Sequence, residues 1–191
     1  MEDNKDLYQE LETDRLILKK ITVDDAEMLY KNVYSNYEYI KYYYQVPLNT
    51  FEDYLPLVEK YKAWYENGNH FRWGIMLKST KEMIGHTQLH SKDYLNNCCK
   101  IACVIGYNYQ KNGYAKEAIK AVLDFGLNIA KFHRIDAEIV ESNINSIKAF
   151  ESVGMNYEST RKDGYKIDDN YYNEKIYTII NDGTYNKGKT R

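Results

Sequence analysis

Tyr109-Gln110-Lys111-Asn112-Gly113-Tyr114-Ala115-Lys116-Glu117-Ala118 is a polar, glycine-containing turn set between two regular patterns. Before it runs a β-type apolar stretch, Ile101-Ala102-Cys103-Val104-Ile105. After it, from Ala115 to about Lys131, apolar residues recur at helical spacing. A strand end therefore passes directly into a helix N-terminus. The first turn of a helix carries unsatisfied N–H groups and the positive end of the helix dipole, which suits a phosphate ligand. Only the small residues Gly113 and Ala115 stand where a diphosphate must approach the backbone closely. Lys111 and Lys116 add positive charge. Taken alone, Gln-x-x-Gly-x-Ala fits an ordinary strand-to-helix connection equally well.

A second motif lies downstream. Arg134-Ile135-Asp136-Ala137-Glu138-Ile139-Val140 reads as a strand, Asn143-Ile144-Asn145-Ser146 opens a short helix, and Gly154-Met155 follows. Together, Gln110-x-x-Gly113-x-Ala115 and Asn143-x-x-Ser146-(x7)-Gly154-Met155 resemble the acetyl-CoA signature of the GNAT N-acetyltransferases. The Asn-x-x-Ser form resembles the RimJ/RimL branch, the ribosomal-protein N-acetyltransferase type. The resemblance runs from Leu11-Glu12-Thr13-Asp14-Arg15-Leu16 to Ile176-Tyr177-Thr178. It implies an α/β (α+β) GNAT fold: a mixed, mostly antiparallel seven-stranded sheet flanked by helices, with one splayed parallel strand pair for the cofactor.

The bulk numbers agree with one soluble domain. The chain has 191 residues, 43% hydrophobic and 28% charged, within the range of ~100–200 residues for a single domain. We expect a loose leader at 1–10, the domain at 11–182 and a basic tail at 183–191. No apolar run approaches the ~18 residues of a membrane span, and the charged start Met1-Glu2-Asp3-Asn4-Lys5-Asp6 lacks a signal-peptide core. A cytoplasmic location follows as the expectation. A net charge of -2 argues against nucleic acid as a partner. Cys98, Cys99 and Cys103 are odd in number and lack zinc-site spacing, so neither a disulfide framework nor a metal site is expected. Cys103, alternating with Ile101 and Ile105, reads as a small core residue.

In chain order, a strand at 15–21 leads to Thr22, an N-cap, and a helix with Ala26, Leu29, Tyr30 and Val33 on one face. A Tyr-rich segment, Asn36 to Tyr44, reads as a short helix. Thr50 and Asp53 start another, with Pro56 either delaying its start to about Leu55 or kinking it. Asn67-Gly68-Asn69 stops it. Strands follow at 71–77, 83–90 and 100–105. The helix after the central turn buries Ala115, Ala118, Ile119, Val122, Phe125, Gly126 and Ile129. Strand 134–140, helix 143–153 and strands at 155–161 and 171–180 complete the domain.

The resemblance implies acetyl-CoA as cofactor and an amine as acceptor. Its pantetheine arm would lie along free backbone of Cys103, Val104 and Ile105, and its diphosphate on Gln110, Lys111, Asn112, Gly113, Tyr114 and Ala115, with Asn143 and Ser146 completing the cofactor set. An alkyl ammonium has a pKa of ~10.4 and a peptide α-amine ~7.7–8.0, so a base is needed. His86, His90, Glu138 and Glu141 are the candidates; His86, Gln88 and His90 share one strand face by alternation. Relatives use a Tyr seven residues after the Asn as acid. Phe150 stands there, so Ser146 takes its place as candidate, with hydrogen bonding to its own helix as the alternative. Lys100 replaces a Glu of many relatives, and Ala102-Cys103 their Gly-Tyr. The catalytic candidates are thus Ser146, Glu141 and His90.

The expected acceptor is a protein or peptide N-terminal amine. The alternative is a small amine, such as a polyamine, aminoglycoside or amino acid. A non-catalytic acyl-CoA-binding module is a third reading. The Tyr-rich region from Tyr30 to Tyr65 is expected to roof the acceptor groove. A monomer and a homodimer both remain compatible with the chain.

Overall fold

A computed structural model describes residues 7–43, 47–66 and 71–183. The expectations for residues 1–6, for Tyr44, for the stop at Asn67–Asn69 and for the tail from 184 lie outside these. Five α-helices are present among the described residues: α1 (Ala26–Leu29), α2 (Tyr37–Ile40), α3 (Phe51–Glu66), α4 (Tyr114–Asp124) and α5 (Ile144–Glu151). The strands are β1 (Leu11–Glu12), β2 (Leu16–Lys19), β3 (Phe71–Leu77), β4 (Met83–Asp93), β5 (Cys98–Ile105), β6 (Arg134–Val140), β7 (Asn156–Ile167) and β8 (Asn170–Ile180). They form one sheet in the order β1-β2-β3-β4-β5-β6-β8-β7. Every adjacent pair is antiparallel except β5–β6.

The sheet is the expected mixed one, with eight strands rather than seven. The additional strand is β1, paired Leu11↔Leu18 and Glu12↔Ile17. Thr13 closes its hairpin, donating from its N–H to Leu16 O and accepting from the Leu16 N–H at its hydroxyl. Two residues are too few to show a period of two in sequence. Within the expected leader, Leu7 and Tyr8 pack against the core, while Gln9 and Glu10 are exposed. Tyr8 stacks on Trp73 (5.4 Å between centroids), and Trp73 Nε1 donates to Gln9 O at 2.8 Å.

α3 starts at Phe51 in spite of Pro56. Asp53 Oδ2 accepts from the Thr50 N–H (2.9 Å), and Thr50 Oγ1 accepts from the Asp53 N–H (3.2 Å). This reciprocal cap satisfies two donors that a helix start leaves open, so the helix nucleates before the proline.

Both faces of the sheet are covered. On one, α4, the helical turn Phe125–Ile129 that continues it, and α5 pack Ala118, Ile119, Val122, Phe125 and Phe150 against Phe71, Trp73, Ile101 and Ile135. Phe71 and Trp73 meet Phe125 edge-on, with centroids 5.1 and 5.2 Å apart, each such pair adding ~0.5–1.5 kcal/mol beyond area burial. Gly126 allows the close approach: a Cβ there would lie 2.6 Å from Ile135 Cδ1. On the other face α1, α2 and α3 enclose a tyrosine-rich core of Tyr34, Tyr54, Tyr61, Leu29, Val33 and Ile40 against Met83 and Val104. No helix among the described residues is long and apolar enough to cross a membrane.

Candidate active site

β5 and β6 begin as partners and then part. Their register covers Cys98↔Arg134, Cys99↔Ile135 and Lys100↔Asp136 only. Beyond this, Ala102–Ile105 keep β4 and Ala137–Val140 keep β8. The result is a fork. Gly106 N–H donates to Ile84 O at 2.8 Å, which sets the antiparallel alternation along β5. Ala102, Val104 and Gly106 therefore direct their main-chain groups toward β4, and Cys103 and Ile105 direct theirs into the fork. Val104 thus departs from the expected set of three free residues. Ile105 departs in part, because its carbonyl already accepts from Tyr39 Oη (2.8 Å) and Gln110 Nε2 (3.4 Å). Cys103 remains open; burial pushes its thiol pKa up to about 12, so it stays protonated.

The central turn follows from its residues. Asn112 Nδ2 donates to Tyr109 O (3.1 Å) and Gln110 O (3.0 Å), folding the turn on itself. Gly113, at φ +80°, is the N-cap of α4, a conformation that costs an L side chain roughly 1–2 kcal/mol. The first intrahelical bond runs from Glu117 N to Gly113 O. Among the described residues the N–H groups of Gly113, Tyr114, Ala115 and Lys116 have no acceptor in the protein. Lys111 and Lys116 are exposed beside them.

Arg15, which no local pattern singled out, completes the turn. Its Nη1 donates to Asn112 O (3.0 Å), its Nε donates to Glu117 Oε2 (2.7 Å), and its guanidinium lies 4.6 Å from the Tyr114 ring centroid. Burial would raise the Glu117 pKa, but bonds from the Thr13 hydroxyl and from Arg15 outweigh it and hold the carboxyl below its usual range. Open N–H groups, a helix N-terminus and three cations around a close-approach glycine fit the diphosphate of a coenzyme A ligand.

Asn143 caps α5, its Oδ1 accepting from Ser146 N at 3.3 Å. Ser146 is half-buried on the side of the buried Phe150 and Val153, as its spacing predicts. Its hydroxyl makes no hydrogen bond among the described residues, so the alternative of a bond to its own helix is not realised.

A pocket of about 280 Å³ opens on the fork from the tyrosine-rich side. Its floor is one face of the sheet, in cross-strand rows: Arg72↔Gln88↔Ala102 and His90↔Lys100, with Glu138 and Glu174 beyond on β6 and β8. Its walls include Tyr34, Tyr43, Leu57, Tyr61, Trp64 and Tyr165. The Tyr-rich segments thus roof this pocket.

Of the base candidates, His86 lies on this same face of β4 but is fully buried, under Tyr34 and Arg72. Its Nε2 lies 2.6 Å from Tyr34 Oη and its Nδ1 accepts from Arg72 Nη1 at 3.2 Å. Arginine has only donors, so this contact fixes Nδ1 as the unprotonated nitrogen. Desolvation first, and the Arg72 charge second, hold the His86 pKa well below its usual value. His90 lines the pocket, its Nδ1 3.0 Å from Ser91 Oγ. Glu141 lies outside the pocket lining, where Asn173 Nδ2 contacts both its oxygens at 3.2 and 3.3 Å. It is therefore not brought together with His90.

Glu174 is the carboxylate that motif reading missed. It is 5% exposed and receives a bond from Arg161 Nη1 at 2.6 Å. Burial, then the nearby Glu138, raises its pKa. Glu138 is desolvated too, but Lys100 (2.7 Å) and Arg161 (3.0 Å) hold its pKa below the usual range. Lys100, in the position of the Glu of many relatives, thus serves as counter-ion to Glu138.

Residues 15–156 match the acetyltransferase (GNAT) domain family. The chain belongs to that family. GNAT acetyltransferases take their acetyl group from acetyl-CoA. The chain is 29% identical over 174 residues to the uncharacterized N-acetyltransferase YoaA of Bacillus subtilis, covering 91% of this chain and 98% of the relative. A crystal structure of a GNAT-family acetyltransferase from Bacillus anthracis superposes with a TM-score of 0.78 at 26% identity, over 90% of this chain and 98% of that one. The spermidine N-acetyltransferase of Vibrio cholerae, solved in complex with CoA and spermine, shares the fold (TM-score 0.77, 21% identity, 88% and 96% coverage).

Proposed function

We propose that this GNAT enzyme is RimJ/RimL-like in its site and transfers the acetyl group of acetyl-CoA to a primary amine small enough to enter the tyrosine-walled pocket. The observation that carries this reading is that the pocket meets the β5–β6 fork at Lys100–Ala102, so that an acceptor and the cofactor arm share one opening. At about 280 Å³ the pocket is at the lower end for ligand sites, typically ~300–1,000 Å³. That favours a small amine over the peptide N-terminus expected from the motif alone. A polyamine finds no open carboxylate there, because Glu138 and Glu174 are both ion-paired.

When bound, acetyl-CoA supplies an acyl thioester; the amine nitrogen bonds to its carbonyl carbon as the carbon–sulfur bond breaks. Cys103 main-chain groups would hold the pantetheine arm, and Gly113 to Lys116 N–H groups with Arg15, Lys111 and Lys116 would hold the diphosphate. Glu174 accepts the proton lost by the amine, directly or through a water, its raised pKa matching it to that task. His90 lines the same pocket as a second proton carrier. Ser146 Oγ–H, with no bond of its own, is the proton source for the departing sulfur.

Gly113→Val is expected to weaken acetyl-CoA binding about tenfold, because valine resists the positive φ from which the turn's N–H groups converge. Calorimetric titration with CoA checks it, and unchanged affinity removes the turn from the site. Ser146→Ala is expected to lower kcat by about 10²-fold with little change in KM for acetyl-CoA. Unchanged turnover at saturation excludes Ser146 as proton source. The function itself is tested by thiol release from acetyl-CoA with amino acids, polyamines, aminoglycosides and free-N-terminus peptides supplied separately. Cofactor binding without release in any arm would leave the acyl-CoA-binding module.

A further inference from the structure

Arg72 is 6% exposed, lines the pocket and has no acidic partner. Nη1 donates to Tyr61 Oη (3.4 Å) and His86 Nδ1 (3.2 Å), and Nη2 donates to Gln88 Oε1. All three acceptors are neutral. Its Nε is buried without a partner. Among the described residues no carboxylate oxygen lies within 4.0 Å of the guanidinium. The two acids of the pocket are taken: Glu138 by Lys100 and Arg161, Glu174 by Arg161. Of the two cations that line the pocket, Lys100 is paired with Glu138, and the lining Glu174 is paired with the exposed Arg161 from outside it, so Arg72 is the lining cation left without a carboxylate. A buried charge lacking a counter-ion is costly, and a guanidinium is shaped to take a carboxylate through two parallel bonds.

The aromatic walls point the same way. The rings of Tyr61 and Trp64 already hold a cation, the Arg72 guanidinium itself, at 4.5 and 5.3 Å from their centroids. They are not an open cage for a ligand ammonium. Arg72 also stands across the floor from the fork, two strand spacings from Ala102 through Gln88, or about 10 Å between Cα atoms. One end of the pocket is cationic and the other is where acetyl transfer would occur.

We propose that Arg72 binds a carboxylate of the acceptor, so that the acceptor is a small primary amine carrying a carboxylate, of amino-acid size. This rests on the acetyltransferase reading above. Arg72 is then a specificity residue: it holds the acid end while the amine faces Lys100–Ala102.

Glycine, β-alanine, 4-aminobutyrate and the other proteinogenic L-amino acids, each against its own carboxamide, are the probes for thiol release. Spermidine and a C-terminally amidated tripeptide serve as further arms. The best carboxylate acceptor is expected to exceed its carboxamide by about 10- to 100-fold in kcat/KM, the worth of a charge-assisted bond. Arg72→Gln should shrink that ratio to within about threefold. Arg72→Lys, which keeps the buried charge and so guards against misfolding, should leave an intermediate ratio.

A binding arm separates the two readings. N-acetylglycine and N-acetylglycinamide, with the corresponding pair from the best acceptor, are titrated calorimetrically onto the CoA-loaded protein. A carboxylate preference in binding that Arg72→Gln abolishes, without thiol release from any amine, keeps the anion site and overturns the acetyltransferase reading. Thiol release with carboxamides, spermidine or the amidated tripeptide as good as the amino acids overturns the carboxylate site and keeps the enzyme. A preference that survives Arg72→Gln also overturns it. Neither turnover nor a binding preference overturns both.

Discussion

Glu174→Gln is expected to lower kcat for the preferred amine by about 10²-fold or more, with the KM for acetyl-CoA changed by less than about twofold. The substitution keeps size and hydrogen-bonding reach but removes the ability to accept a proton and the charge that pairs with Arg161. Glu174 is nearly fully buried, beside Glu138 and bonded to Arg161. Desolvation and the Glu138 charge raise its pKa above the usual 4.5 even against the pull of Arg161. The sign of the pH effect follows. A base works when deprotonated, so kcat/KM should rise with pH through the raised Glu174 pKa, at a higher pH than an ordinary carboxylate would give. In Glu174→Gln this acid limb should vanish. A variant that keeps both kcat and the limb would move the base to His90 or Glu138, with His90→Asn and Glu138→Gln as the deciding pair. Thermal melts at neutral pH show whether leaving Arg161 with Glu138 alone disturbs the fold.

The second large effect is on stability. His86 is fully buried and neutral, its Nδ1 turned to Arg72 and its Nε2 to Tyr34. Its folded pKa lies well below the usual 6.5. Below pH 6.5 the unfolded chain therefore binds a proton that the folded chain refuses, and stability falls as pH falls. With one proton per site the slope approaches ~1.4 kcal/mol per pH unit over the range between the unfolded and folded pKa values. Urea unfolding from pH 7.5 to 4.5 measures it. His86→Gln, which does not titrate, should flatten the curve across this window while lowering stability at neutral pH, where the native histidine is well satisfied. A wild-type curve already flat between pH 6.5 and 4.5 would show that the histidine protonates freely in the folded chain. Paired acids such as Glu138 and Glu117 add their own losses only at lower pH, because their folded pKa values lie below the usual carboxylate range.

Features carried by neighbours in sequence were legible. The turn from Gln110 to Ala115, the Asn143 cap with Ser146 behind it, the stripe of α4 and the shared face of His86, Gln88 and His90 all depend on spacings of one to four residues. Where two local signals competed, at α3, the Thr50–Asp53 cap set the start and Pro56 did not delay it. The local rules failed where a residue's pattern was outweighed by distant partners. Glu141 stood close to Asn143 in sequence and suggested a base, yet it is bound by Asn173 from β8. Val104 sat within the expected cofactor stretch, but the register with β4 turns its main chain the other way.

The turn at the centre of the candidate cofactor site is largely local, a strand, a turn and a helix start contiguous from Ile101 to Lys116, to which the fold adds Arg15 and the parting of β5 from β6. Its small residues and open N–H groups follow from the order of the residues, so the chain's own sequence carries the family and the cofactor. The pocket proposed for the acceptor has a floor from β3, β4, β5, β6 and β8 and walls that include Tyr34, Tyr43 and the α3 residues Leu57, Tyr61 and Trp64. Arg72 meets Tyr61 and His86, Glu138 meets Lys100 and Arg161, and Arg161 meets Glu174 only when the sheet is formed. Which charge in the pocket has a partner, and which is left to a ligand, is set by side chains far apart in sequence, and only the folded sheet decides it.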